Sequence, residues 1–285
     1  MSAETVEVRF APPSLAPCVV CCIWRHVDAQ CAGPVNARVP ANIYACVNLV
    51  LQGRVESITK PGGILPDFFV TGPFTRPLAT ASAGPLHSVS LVIQPWLLRA
   101  WFGWAPAELI DALQDLRTAP AAEMAGPLHR ALLAAASGPA AAERLWEALH
   151  AISDPAARLA PPLSLQELLQ DGVGAAARAL GLGERQYERR FGLAMGVPPR
   201  TWLRIRRLES ALVALAGDDT GAAALAQLAA ETGFADQAHL TRAFRAGTGE
   251  PPARLLRQLR ADRPGYWAFR PARVGFVQDG SEPAG

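Results

Sequence analysis

The chain has 285 residues, half of them apolar and 18% charged, so it is long enough for two domains and apolar enough to bury a core in each, which excludes a disordered or fibrous protein. No run of 18 or more apolar residues occurs, and residues 1–7 carry acids where a secretory signal needs bases and then an apolar core; a soluble cytoplasmic protein with no membrane partner is expected. The net charge of +2 conceals an uneven distribution: residues 1–160 hold ten Arg and Lys60 against twelve acids, whereas residues 178–207 hold eight Arg against Glu184 and Glu188.

The first part of the chain has the texture of strands. Val6-Glu7-Val8-Arg9-Phe10 alternates, and residues 43–51 and 88–93 are β-rich runs. Gly33-Pro34, Pro61-Gly62-Gly63, Gly72-Pro73 and Gly84-Pro85 punctuate them, and short strands joined by such turns suggest a small barrel. Its apolar interior suggests a small-molecule pocket lined by Trp24, Tyr44, Phe68, Phe69 and Phe74, although any core uses the same residues. All five cysteines lie here, at positions 18, 21, 22, 31 and 46. Cys18-x-x-Cys21 has the spacing of a metal site, but no second close Cys or His pair accompanies it. Residues 18–24 read instead as a buried strand, in which cysteine behaves as a small hydrophobe.

The periodicity then changes. Residues 96–102, 106–116 and 124–152, the last broken near Gly138-Pro139, read as three or four helices. On them Asp111 and Asp115, and likewise Glu143 and Glu147, share a face at i, i+4 and would mimic paired catalytic carboxylates; a solvated charged face accounts for both pairs. Residues 154–162, with Pro155, Pro161, Pro162 and three alanines, form the expected linker.

Residues 172–260 say nearly the same thing twice. At an offset of 53 residues, Arg189 and Phe191 fall on Arg242 and Phe244, Gly196 on Gly249, Pro198-Pro199 on Pro251-Pro252, and Leu203-Arg204 on Leu256-Arg257, all identical and without a gap. An Ala/Leu-rich segment closing on glycine precedes each copy (residues 175–181 and 225–233), so each unit reads as a helix, a tight turn and a second helix. In the second helices the apolar positions Tyr187, Phe191 and Met195, then Leu240 and Phe244, recur at i, i+4. Their opposite faces carry Arg185, Glu188 and Arg189 in the first copy and Gln237, Ala238, Thr241, Arg242 and Arg245 in the second. Between the copies residues 200–216 read as a strut, roughly 25 Å long at 1.5 Å per residue. That length suits two recognition helices about one DNA turn apart.

These residues resemble a known family. The run from Gly233-Phe234-Ala235-Asp236-Gln237 through Phe244, followed by Gly249-Glu250-Pro251, is similar to the signature of the AraC/XylS transcriptional regulators, and Gln186 through Phe191 with Gly196-Val197-Pro198 is similar to the first half of the same DNA-binding domain. Leu240 stands where the family often has Phe, which keeps that site apolar. The resemblance implies base contacts from Arg185, Gln186, Glu188 and Arg189 in one box, and from Gln237, Ala238, Thr241 and Arg242 in the other. Phosphate contacts are expected from Arg200, Arg204, Arg206, Arg207, Arg245 and Arg257. Trp24, the turn at residues 72–77 and residues 93–98 resemble an uncharacterised domain often found ahead of this DNA-binding pair, and the strand-then-helix order resembles the effector-sensing domains of the family, which are cupin-like barrels followed by helices.

The expected fold is thus α+β. Residues 1–153 would form a small β-barrel with following helices that senses an effector or dimerises, and residues 163–263 an all-α domain of two helix-turn-helix modules joined by a linker helix. An aromatic extension, residues 264–285, would pack against one of the domains and end in a disordered tail. Double-stranded DNA, a small-molecule effector and RNA polymerase are the implied partners, and a homodimer the implied assembly. The five histidines are scattered and no phosphate-binding glycine loop occurs, so no catalytic residue, metal or cofactor is expected. The competing reading is a cysteine-based metal, alkylation or redox sensor, or repair enzyme, fused to a DNA-binding domain.

Overall fold

The computed structural model describes residues 4–28, 34–58, 63–82, 84–121, 123–152, 163–217 and 224–269. Cys31, the expected linker and residues 270–285 of the expected extension, its tail included, lie outside the described residues.

Ten strands form among the described residues before position 116: β1 (Glu4–Phe10), β2 (Val19–Val27), β3 (Val35–Val39), β4 (Ala45–Gln52), β5 (Val55–Ser57), β6 (Gly63–Ile64), β7 (Phe68–Thr71), β8 (Leu78–Ser82), β9 (Leu86–Ile93) and β10 (Leu113–Asp115). They make two antiparallel sheets, one ordered β1-β2-β9-β4-β7-β10 and the other β3-β8-β5-β6. Both sheets are open, so the β-rich domain is layered and does not close into the expected barrel. The reason lies in what covers the larger sheet. Helices α1 (Leu97–Phe102), α2 (Ala125–Ala134) and α3 (Ala142–Ile152) bury one of its faces, which a barrel would have turned to solvent.

Strand alternation divides the side chains between the two faces. On β9, Val89, Leu91 and Ile93 enter the core shared with Leu128, Leu132, Leu145 and Trp146 of the helices, while Ser88, Ser90 and Val92 face the smaller sheet. Trp24 belongs to the helical side, where its indole N–H donates to Ala135 O at 2.8 Å.

The segment expected as a helix at residues 106–116 is a 3₁₀ turn (Pro106–Leu109) followed by β10, which adds to β7 at the sheet edge. Asp111 breaks the helix with φ 53°, and its carboxylate accepts from Thr75 N (2.8 Å) and Thr75 Oγ1 (2.6 Å). Asp115 caps the next turn and pairs with Arg117. The two aspartates therefore share no helix face and make no acid pair.

The second part is helical: α4 (Leu165–Ala179), α5 (Glu184–Met195), α6 (Pro199–Gly217), α7 (Ala224–Glu231), α8 (Gln237–Thr248) and α9 (Pro252–Arg260), then a 3₁₀ turn at Trp267–Phe269. Among the described residues no helix is long and apolar enough to cross a membrane. Pro199 and Pro252 open α6 and α9, where a helix's first turn has no N–H to lose. The apolar cluster around α6 continues into Cys21, Ile23, Ile43 and Val92 of the β-rich domain, so the two parts share packing. At that junction Ala41 N donates to Gly247 O at 2.7 Å, and the bare Cα of Gly247 leaves room for the Leu208 side chain, with which a Cβ would collide.

Candidate nucleic-acid interface and ligand cavity

Helices α5 and α8 are one design used twice. Each has twelve residues, each starts 53 positions from the other, and each ends on a left-handed glycine, Gly196 (φ 77°) and Gly249 (φ 79°). Tyr187, Phe191 and Met195 are buried on α5, as are Leu240 and Phe244 on α8. Phe191 meets Tyr187 and Trp202 with ring centroids 5.9 and 5.8 Å apart, and the Tyr187 hydroxyl donates to Leu163 O. Asp236 caps α8, accepting from His239 N at 2.6 Å; Gly183 takes that position on α5 without a side-chain bond.

The opposite faces are open. Arg185, Gln186 and Arg189 on α5, and Gln237, Ala238 and Arg242 on α8, are exposed, with Glu188 and Thr241 half-buried beside them. Of the arginines expected at phosphates, Arg200, Arg204, Arg207, Arg245 and Arg257 are exposed. Arg207 also lies over the Phe234 ring at 5.8 Å. Arg206 is a correction. Its side chain is buried, its Nη1 donates to Glu209 Oε2 at 3.0 Å, and its guanidinium covers Trp202, so it faces the protein and cannot meet a phosphate. Arg178 and Arg190 are also exposed on this basic part of the surface; the run of arginines signalled them, although the family motif did not.

The second site is a cavity of about 120 Å³ between the two sheets. Of the five residues expected around a pocket, Tyr44, Phe69 and Phe74 line this cavity and Trp24 and Phe68 do not. Those two sit one residue out of phase with the lining residues Ile23, Arg25 and Phe69, so their side chains point to the helical core instead. Two of the lining residues that were not foreseen differ in kind from the rest. Arg25, the one charged side chain among the described residues of the wall, is only 9% exposed and its Nε donates to Glu4 Oε1 at 2.7 Å. Trp267 comes from the segment after the helical domain and lies 5.8 Å from the Arg25 guanidinium. An arginine within an apolar strand was the only sequence signal for the first, and nothing in the sequence placed the second.

The same segment joins the two parts. Gly265 N donates to Glu4 Oε2 (2.6 Å), Arg38 N donates to Gly265 O (3.1 Å), and the Tyr266 hydroxyl donates to Glu250 Oε1 (2.8 Å). Glu250 precedes α9 and lies 3.5 Å from Arg38 Nη1.

Thiol chemistry finds little support here. Burial raises the Cys21 and Cys22 thiols well above their ordinary range and pushes Cys46 up to about 12, which keeps them protonated and poorly nucleophilic. Among the described residues no three His, Cys, Asp or Glu side chains gather as a metal site would require.

A pair of helix-turn-helix units with open polar faces and a basic surface defines a DNA-binding protein. Residues 176–258 match a protein-family model described as a helix-turn-helix domain. Among solved structures the chain is similar to ToxT of Vibrio cholerae. An apo ToxT variant is 12% identical with a TM-score of 0.43, over 88% of this chain and 100% of that one. Wild-type ToxT with a bound unsaturated fatty acid is 9% identical with a TM-score of 0.43, over 90% of this chain and 95% of that one. No curated protein matches the chain.

Proposed function

We propose that the chain is a sequence-specific transcription regulator that reads two short DNA boxes with α5 and α8 and answers to a small molecule bound between its sheets. The observation that carries the reading is the duplicated helix: the same twelve-residue element, ending on the same left-handed glycine, buries one face and opens the other in both copies. The nineteen-residue α6 between them is roughly 28 Å long at 1.5 Å per residue, which supports recognition of successive major grooves on one side of the duplex.

In this reading Arg185, Gln186, Glu188 and Arg189 read one box, and Gln237, Ala238, Thr241 and Arg242 the other. These side chains match the base edges of the major groove, where Arg pairs with guanine O6 and N7, Gln with adenine N6 and N7, and Glu accepts from cytosine N4. Arg200, Arg204, Arg207, Arg245 and Arg257 hold phosphates and set register without reading sequence. Arg185→Ala should cost about 1 to 3 kcal/mol and relax preference in one box, and Gln237→Ala should do so in the other. Selection of sites from random DNA by each variant is the test; loss of preference in both boxes at once, or in neither, sinks the assignment.

The effector part rests on the cavity and its wall. Trp267 faces the cavity while its neighbour Tyr266 bonds Glu250 at the start of α9, so a ligand that moves Trp267 also acts on the second DNA-reading unit.

A further inference from the structure

The cavity carries a chemical description of what it takes, an inference that rests on reading it as the effector site. Its size comes first. A protein cavity of about 150 Å³ holds benzene, so one of about 120 Å³ holds a ligand of about one ring. Ile23, Val39, Phe69 and Phe74 make most of the wall apolar.

Two donors then stand out. Arg25 Nη2 and Trp267 Nε1 are both buried, neither has an acceptor among the described residues, and both belong to lining residues whose charged group and ring lie 5.8 Å apart. Both atoms are covered as the cavity stands, and because buried donors are nearly always matched, this part of the wall suits an acceptor oxygen that reaches them as Trp267 shifts. Charge sets the remaining condition. Arg25 is the one charged lining residue among those described and already holds Glu4, so the pair is neutral as it stands. A carboxylate would place a second anion beside one cation in a buried space, which a neutral carbonyl avoids. We propose that the cavity binds a compact, uncharged molecule about one ring in size, whose carbonyl-type oxygen accepts from Arg25 Nη2 and Trp267 Nε1.

Melting of the full chain with cyclohexanone, benzene and cyclopentanecarboxylate at equal millimolar concentrations tests this. Cyclohexanone should raise Tm most. Its affinity should fall on the order of tenfold in R25K, which keeps a cation opposite Glu4 but moves the donor, and in W267F, which keeps a ring but lacks the N–H; each variant is compared with its own unliganded melting. The ranking of the three compounds needs no variant, so it holds even if a substitution unfolds the chain. Cyclopentanecarboxylate raising Tm most would overturn the uncharged ligand. Benzene equalling the ketone, or a ketone shift unchanged in both variants, would overturn the acceptor while leaving the cavity as an effector site. No shift with any of the three would overturn both.

Discussion

Two arginines two residues apart on α6 have opposite fates. Arg204 is exposed; Arg206 is buried against Trp202 and Glu209. Replacing Arg204 with Ala should leave stability nearly unchanged and lower the slope of log K against log salt by about 0.9, read from DNA binding across a salt series. Arg206→Ala should leave that slope alone and cost about 3 kcal/mol by denaturant unfolding, because Glu209 stays buried without its cation. Burial pushes the Glu209 carboxyl up to about 7 from its ordinary 4.5, against the pull of Arg206. The folded chain therefore holds a proton that the unfolded chain releases. The stability this adds is fully present below about pH 4.5 and is lost as pH rises through about 7. Glu209→Gln should remove that part of the pH dependence of Tm, and a profile identical to the parent's would refute the assignment. Phe191→Ala, which empties a fully buried site between Tyr187 and Trp202, should cost roughly 3 to 5 kcal/mol in the same unfolding measurement. Arg206 was legible in principle, four residues after Trp202 and three before Glu209 on the apolar side of α6. Charge counting alone could not separate it from Arg204.

At the scale of elements, the helical half was readable because its sequence repeat is its structural repeat: a 53-residue offset fixes where α5 and α8 begin, end and turn a polar face outward. The β-rich half was readable only as runs. Residues 6–10, 43–51 and 88–93 announce strands, but nothing local says which pair, and Leu113-Gln114-Asp115 becomes β10 only because β7 lies beside it. The cavity shows the same limit on a finer scale, since Phe68 and Phe69 are alike in sequence and the phase of β7 alone sends one to the helices and the other to the cavity. That the described start of the aromatic extension, residues 264–269, packs was readable, but its site on Glu4 and Asn36 was not. There Gly265 has φ 85°, and a Cβ would run into the backbone oxygen of Asn36. Gly265→Ala should therefore lift the extension and speed tryptic cleavage after Arg260, at the exposed end of α9, while α5 and α8 keep their DNA preference. Cleavage at the parent's rate would show that the extension is not held there.

For the whole molecule, the bond between Glu4 and Gly265 joins positions 261 residues apart. Deleting residues 264–285 should abolish any ligand-dependent rise in Tm yet leave specific DNA binding measurable; a ligand shift that survives the deletion would show that Trp267 is dispensable. The same bond has a consequence for the order of events during synthesis. Chains grow from the first residue, so strands β1 to β10 are made while the cavity still lacks Trp267, which follows only after both helix-turn-helix units have been made. On the proposed reading, a growing copy therefore has both units that would grip an operator before Trp267 completes the wall that would grip a ligand.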